Sequence, residues 1–158
     1  MSGKAYMTRL CDAELQLALQ SSGAVLIEGA KWCGKTSTAS NTSRSVLFMQ
    51  DPDHADSYKA MADTKPSLLL KGETPRLIDE WQMAPVLWDA IRFEVDQRAE
   101  TGQFILTGSA VPSDNITAHT GTGRISRIMM RPMSLFESME SNGIGLCGGS
   151  NKLRCIAG

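Results

Sequence analysis

The chain has 158 residues, 42% of them hydrophobic and 21% charged, enough for one domain with an ordinary buried core and too few for a second full one. Sixteen Lys plus Arg against seventeen Asp plus Glu give a formal net charge of −1, so the overall charge does not support nucleic acid or an anionic membrane surface as a partner. No stretch nears the roughly 20 apolar residues that span a bilayer, no secretory signal opens the chain, and Cys11, Cys33, Cys147 and Cys155 lack metal-ligand spacing, so a cytoplasmic protein with reduced thiols is expected.

Residues 12–20 carry Leu15, Leu17, Ala18 and Leu19 in a short helical pattern, which Ser21-Ser22-Gly23 ends. The apolar run Ala24-Val25-Leu26-Ile27 then reads as a buried strand. It feeds Gly29-Ala30-Lys31-Trp32-Cys33-Gly34-Lys35-Thr36 and a Ser- and Thr-rich stretch to residue 43, placed on a helix despite mediocre propensity. Residues 45–49 form a second short strand. Asp51 is expected to cap a helix through residue 62, with Pro52 at its first position.

Residues 68–70 fit either a helix end or a short strand. Arg76-Leu77-Ile78-Asp79-Glu80 reads as a strand with acidic residues at its carboxyl end, followed by a helix over 85–99. Residues 103–107 form the next strand, residues 108–123 a polar glycine-containing loop, and residues 125–130 a last strand. Strands alternating with helices imply an α/β fold with a parallel sheet. The Gly- and Ser-rich residues 141–158 are expected to be a poorly ordered tail behind a core spanning residues 1–140.

The segment from Gly29 to Thr36 fits G-x-x-x-x-G-K-[ST]. In this pattern small residues let successive backbone N–H groups converge on phosphate oxygens at a helix N-terminus. It arises by chance in roughly 0.5% of chains this long, and its place between a strand and a helix makes coincidence rarer still. Gly29, Ala30, Lys31, Trp32, Cys33, Gly34, Lys35, Thr36 and the helix residue Ser37 are therefore the expected surround of ATP. Lys35 would reach the β- and γ-phosphates, and Thr36 would place its hydroxyl on Mg²⁺.

Asp79 is the candidate second metal-holding residue and Glu80 the candidate general base for an attacking water; a helix cap with a first-turn acid also explains the pair. Thr107 could face the γ-phosphate or simply close a strand before a turn. Arg124 could stabilise transition-state charge, in cis or across a subunit interface, or be a solvated surface residue. His54 and His119 are read as surface or loop residues without chemistry. Trp32, Trp81 and Trp88 could stack on adenine but are read first as packing against neighbouring helices, and Met129, Met130 and Met133 as core filler.

Gly29 to Thr36, Arg76-Leu77-Ile78-Asp79-Glu80-Trp81-Gln82, Phe104-Ile105-Leu106-Thr107-Gly108-Ser109, Gly123-Arg124 and Arg131-Pro132-Met133-Ser134-Leu135-Phe136-Glu137 together resemble an AAA-type ATPase family of mostly uncharacterised prokaryotic proteins. The resemblance covers residues 6–140. It implies a three-layer P-loop NTPase domain with strand order 5-1-4-3-2, a Walker B strand ending in Asp79-Glu80, Thr107 as a sensor and Arg124 as a Gly-Arg element. It also implies a chain shortened before the family's helical lid and C-terminal domain, which would weaken turnover more than binding.

Three functions follow for comparison. The first is Mg²⁺-dependent ATP hydrolysis. The second is a nucleotide-dependent interaction module with little hydrolysis, acting through a protein partner or a second copy of the chain. The third is a small-molecule kinase, against which the Asp79-Glu80 doublet argues by favouring water activation.

Overall fold

The computed structural model describes residues 6–109, 123–134 and 137–138. Four helices and five strands alternate along it: α1 (Leu10–Ser21), β1 (Ala24–Glu28), α2 (Lys35–Thr42), β2 (Ser45–Phe48), α3 (Ala55–Thr64), β3 (Arg76–Asp79), α4 (Val86–Arg98), β4 (Phe104–Thr107) and β5 (Ile125–Met129). Single 3₁₀ turns occupy Pro66–Leu68 and Trp81–Met83. The strands pair in the order β2-β3-β4-β1-β5, every pair parallel. This is the expected 5-1-4-3-2 sheet read from its other edge.

Alternation along each strand divides the core in two. Leu26, Ile78 and Leu106 face a cluster closed by Leu87, Trp88, Ile91 and Val95 of α4 and Ala62 of α3. Val25, Ile27, Leu77 and Ile105 face the opposite cluster, closed by Leu15 and Leu19 of α1 and Ala39 of α2. The i, i+4 and i, i+4, i+8 spacings on α1 and α4 supply one apolar stripe each, and each large side chain so buried contributes roughly 1.5–3 kcal/mol. The result is three layers, helix over sheet over helix.

Trp81 and Trp88 are buried with ring centroids 5.1 Å apart, as packing residues should be. Other expectations need correction. Trp32 is 92% exposed, because it sits at the tip of the loop after β1 with φ of 68°. Met130 is buried, but Met129 and Met133 are exposed: Met129 lies on the outward face of β5, and Met133 follows the strand in irregular chain.

The helix after β2 starts at Ala55, later than Asp51-Pro52 suggests. The Asp51 carboxylate instead accepts from the Asp53 N–H at 3.1 Å and meets His54 Nδ1 at 3.0 Å, closing a local turn that competes with helix. Among the described residues no helix is long and apolar enough to cross a membrane. Cys11 and Cys33 are free thiols. His119, Cys147, Cys155 and the tail at 141–158 lie outside the described residues.

Candidate functional site

Parallel strands deliver their carboxyl ends to one edge of the sheet, and β1, β3 and β4 bring Glu28, Asp79 and Thr107 there. The chain leaves β1 through Gly29, whose φ is +151°. A Cβ at this position would lie 2.2 Å from the Met130 carbonyl oxygen, so only glycine lets the loop turn away from β5. Gly34 then caps α2 in the left-handed conformation. None of the N–H groups of Gly34, Lys35, Thr36 and Ser37 has an acceptor among the described residues, as a helix start requires.

The side chains of the loop and the strand ends interlock. Lys35 is 7% exposed, and its ammonium donates to the Gly29 carbonyl at 2.8 Å and the Ala30 carbonyl at 2.7 Å, with Cys33 Sγ at 3.9 Å. Thr36 Oγ1 donates to Asp79 Oδ1 at 2.7 Å, and Thr107 Oγ1 donates to the same oxygen at 2.6 Å. Lys31, Trp32, Gly34, Lys35, Thr36, Ser37, Asp79 and Glu80 line one cavity of about 410 Å³. Lys31 Nζ stands 5.6 Å from the Trp32 ring centroid.

Two hydroxyls and a carboxylate within one hydrogen-bonded group form a hard-oxygen donor set, the chemistry that suits Mg²⁺. No group of three or more His, Cys, Asp or Glu that could cage a metal exists among the described residues.

Glu80 follows β3 in the left-handed conformation, φ 57° and ψ 48°, unusual for a residue with a Cβ. Its carboxylate accepts from the Gln82 amide, whose nitrogen also lies 3.4 Å from Ser109 Oγ. Gln82 presses on Gly108, where an added Cβ would stand 2.3 Å from Gln82 Oε1. Neither Gln82 nor Gln50, which also lines the cavity, stands out in the sequence as a site residue. The available signal for Gln50 is its place just past the carboxyl end of β2, since such ends line sites in open α/β sheets.

The structure does not bring Arg124 to this cavity. It immediately precedes β5, and its carbonyl accepts from Ala24 N at 3.0 Å, at the amino ends of the strands. At about 3.3 Å of rise per residue this is roughly 13 Å from the loop edge. Its guanidinium pairs instead with Asp96 on α4, so a contact with the cavity in cis does not fit.

Beneath the loop lies an ion pair to which the sequence assigned no role. Arg9 Nε meets Glu137 Oε1 at 3.0 Å, with the two side chains 6% and 8% exposed. The Glu137 carboxyl is pulled down to about 2, first by the Ser134 N–H and then by the Leu10 N–H and Arg9, against the opposing effect of burial. A carboxyl lowered by folding stabilises the protein fully above its unfolded value of about 4.3, and that contribution is lost as pH falls toward 2. Glu137→Gln should therefore lower stability by about 3 kcal/mol at pH 7, since it strands a buried guanidinium. Urea titrations at stepwise lower pH should show the gap to the unmodified chain closing below about pH 4.

Comparison with known proteins bears on this geometry. Residues 21–139 match the family described as "AAA domain", which covers every strand of the sheet and the whole loop. Among solved structures the chain is similar to one described as "Structure of C. elegans PCH-2", at 17% identity and a TM-score of 0.46. That match covers 74% of this chain and 37% of the other, so this chain spans little more than a third of that relative. No curated protein matches it.

Proposed function

The chain belongs to the AAA domain family, and from that premise we propose that it binds ATP with Mg²⁺ in the cavity at the carboxyl ends of β1, β3 and β4 and hydrolyses it to ADP and phosphate. One observation carries the reading: the Thr36 and Thr107 hydroxyls meet on a single Asp79 oxygen, beside a lysine and four backbone N–H groups that have no acceptor among the described residues. No simple turn needs that convergence.

Each group has a part. The N–H groups of Gly34, Lys35, Thr36 and Ser37 receive phosphate oxygens, helped by the positive end of α2. Lys35 exchanges the carbonyls of Gly29 and Ala30 for the β- and γ-phosphates. Thr36 and Asp79 would hold Mg²⁺, which when bound neutralises charge developing on the phosphoryl oxygens. Glu80 accepts a proton from water as the water oxygen bonds to the γ-phosphorus and the bond to the β-phosphate oxygen breaks. Thr107, fixed on Asp79, is placed to orient that water. Arg124 is assigned no part in cis.

A second reading, a nucleotide-dependent interaction module with slow hydrolysis, draws support from Glu80 being held by the Gln82 amide. The Gln82 amide occupies a carboxylate lone pair that an attacking water would otherwise use. This reading requires a protein partner or a second copy of the chain to sense the bound state.

Phosphate release from ATP by the purified chain separates the two. Hydrolysis predicts release that depends on Mg²⁺ and ceases on chelation; tight binding with no release above the uncatalysed rate would leave the module.

A further inference from the structure

The phosphate loop is held from below as well as filled from above. Arg9 Nη1 donates to the Cys33 carbonyl at 3.0 Å, Nη2 donates to the Arg131 carbonyl at 3.0 Å, and Nε donates to Glu137 at 3.0 Å. One buried guanidinium thus ties the loop after β1 to the segment after β5. Three fixed bonds from one planar group are a geometry that a lysine cannot reproduce.

The Cys33 bond has a direct consequence for anion binding. A peptide unit is planar and trans, so its carbonyl and the following N–H point in opposite directions. Holding the Cys33 carbonyl on Arg9 turns away from Arg9 the Gly34 N–H, the first of the donors at the start of α2 that have no acceptor among the described residues. If the Cys33–Gly34 peptide flipped, a carbonyl oxygen would replace that donor and repel phosphate.

Arg9 is itself pinned. Its N–H donates to Asp12 Oδ2 at 2.8 Å, and the other Asp12 oxygen accepts from Tyr6 Oη at 2.5 Å. Tyr6 Oη also lies 3.1 Å from Thr38 Oγ1 on α2. On the far side Glu137 accepts from the N–H groups of Leu10 at 3.0 Å and Ser134 at 2.8 Å.

We propose that Arg9 is a positioning residue for the phosphate loop and that, with Glu137, it latches the loop to the segment after β5, so that nucleotide occupancy and the order of that segment are linked. The latch rests on the reading of the cavity as a nucleotide site. Linkage is reciprocal, so whatever holds Glu137 in place also favours the binding-competent loop.

The test pairs MgATP titration with amide hydrogen exchange on the full chain, using Arg9→Lys and Glu137→Gln well below their melting temperatures. In the unmodified chain MgATP should slow exchange at the Leu10 and Ser134 amides, both bonded to Glu137. Arg9→Lys should weaken MgATP binding at least tenfold while circular dichroism stays native, and the slowing at Ser134 should vanish in both variants. A residue serving only stability would lower the melting temperature and leave the affinity of the folded chain unchanged, which would overturn the latch. So would unaltered Leu10 and Ser134 exchange on MgATP binding by the unmodified chain, a result that needs no variant to fold. Failure of the unmodified chain to bind MgATP at all would instead remove the nucleotide reading, and the latch with it.

Discussion

Lys35→Ala should reduce affinity for MgATP by about 100-fold or more, the size expected when one member of a desolvated charge pair is removed, roughly 3 kcal/mol. Lys35 is buried at the wall of the cavity, where its ammonium already makes two carbonyl bonds. Water screens such a charge poorly, so its attraction for a triphosphate is large. The fold should survive, because Lys35 belongs to neither hydrophobic cluster, and Gly29 is only half-buried and Ala30 exposed, so water can reach their freed carbonyls. Calorimetric titration of the variant, with circular dichroism as a fold control, checks this; affinity within a factor of three of the unmodified chain would mean that phosphate is not held here.

Glu80→Gln should separate binding from turnover. The amide is isosteric and can still accept from Gln82, so the left-handed turn at residue 80 and the cavity shape should persist. It cannot take a proton from water, and general-base catalysis is worth about 10²- to 10⁴-fold. Phosphate release should fall by that range while MgATP affinity changes little. Release at the unmodified rate would place the base elsewhere and leave Glu80 as a turn residue.

Much of this architecture was legible in the chain because two periodicities and one motif agree. The run Ala24-Val25-Leu26-Ile27 is apolar at every position, as a strand covered on both faces must be. The glycine spacing after it fixes where α2 begins. Which strand ends meet is harder to read. That Asp79 and Thr107 flank the loop follows from β4 lying between β3 and β1, which in the sequence was only implied by the resemblance.

Arg124 teaches the converse. Its place after Gly121-Thr122-Gly123 suggests a projecting contact, but it immediately precedes a parallel strand, and residues that precede such strands sit at the edge opposite those that follow them. Asp51 departs from the sequence expectation for a local reason, its carboxylate closing a turn before the helix starts. Arg9 and Glu137 lie 128 positions apart. Glu137 closes the stretch of residues 131–137 that carried the resemblance, but Arg9 belongs to no such pattern. Their pairing is visible only once the segment before α1 lies against the segment after β5.

The central claim is that this cavity binds a nucleoside triphosphate with Mg²⁺, and calorimetric titration of MgATP into the unmodified chain tests it most directly. The account predicts saturable one-to-one binding that Lys35→Ala weakens by about 100-fold or more. A flat titration from a chain with native circular dichroism would contradict it.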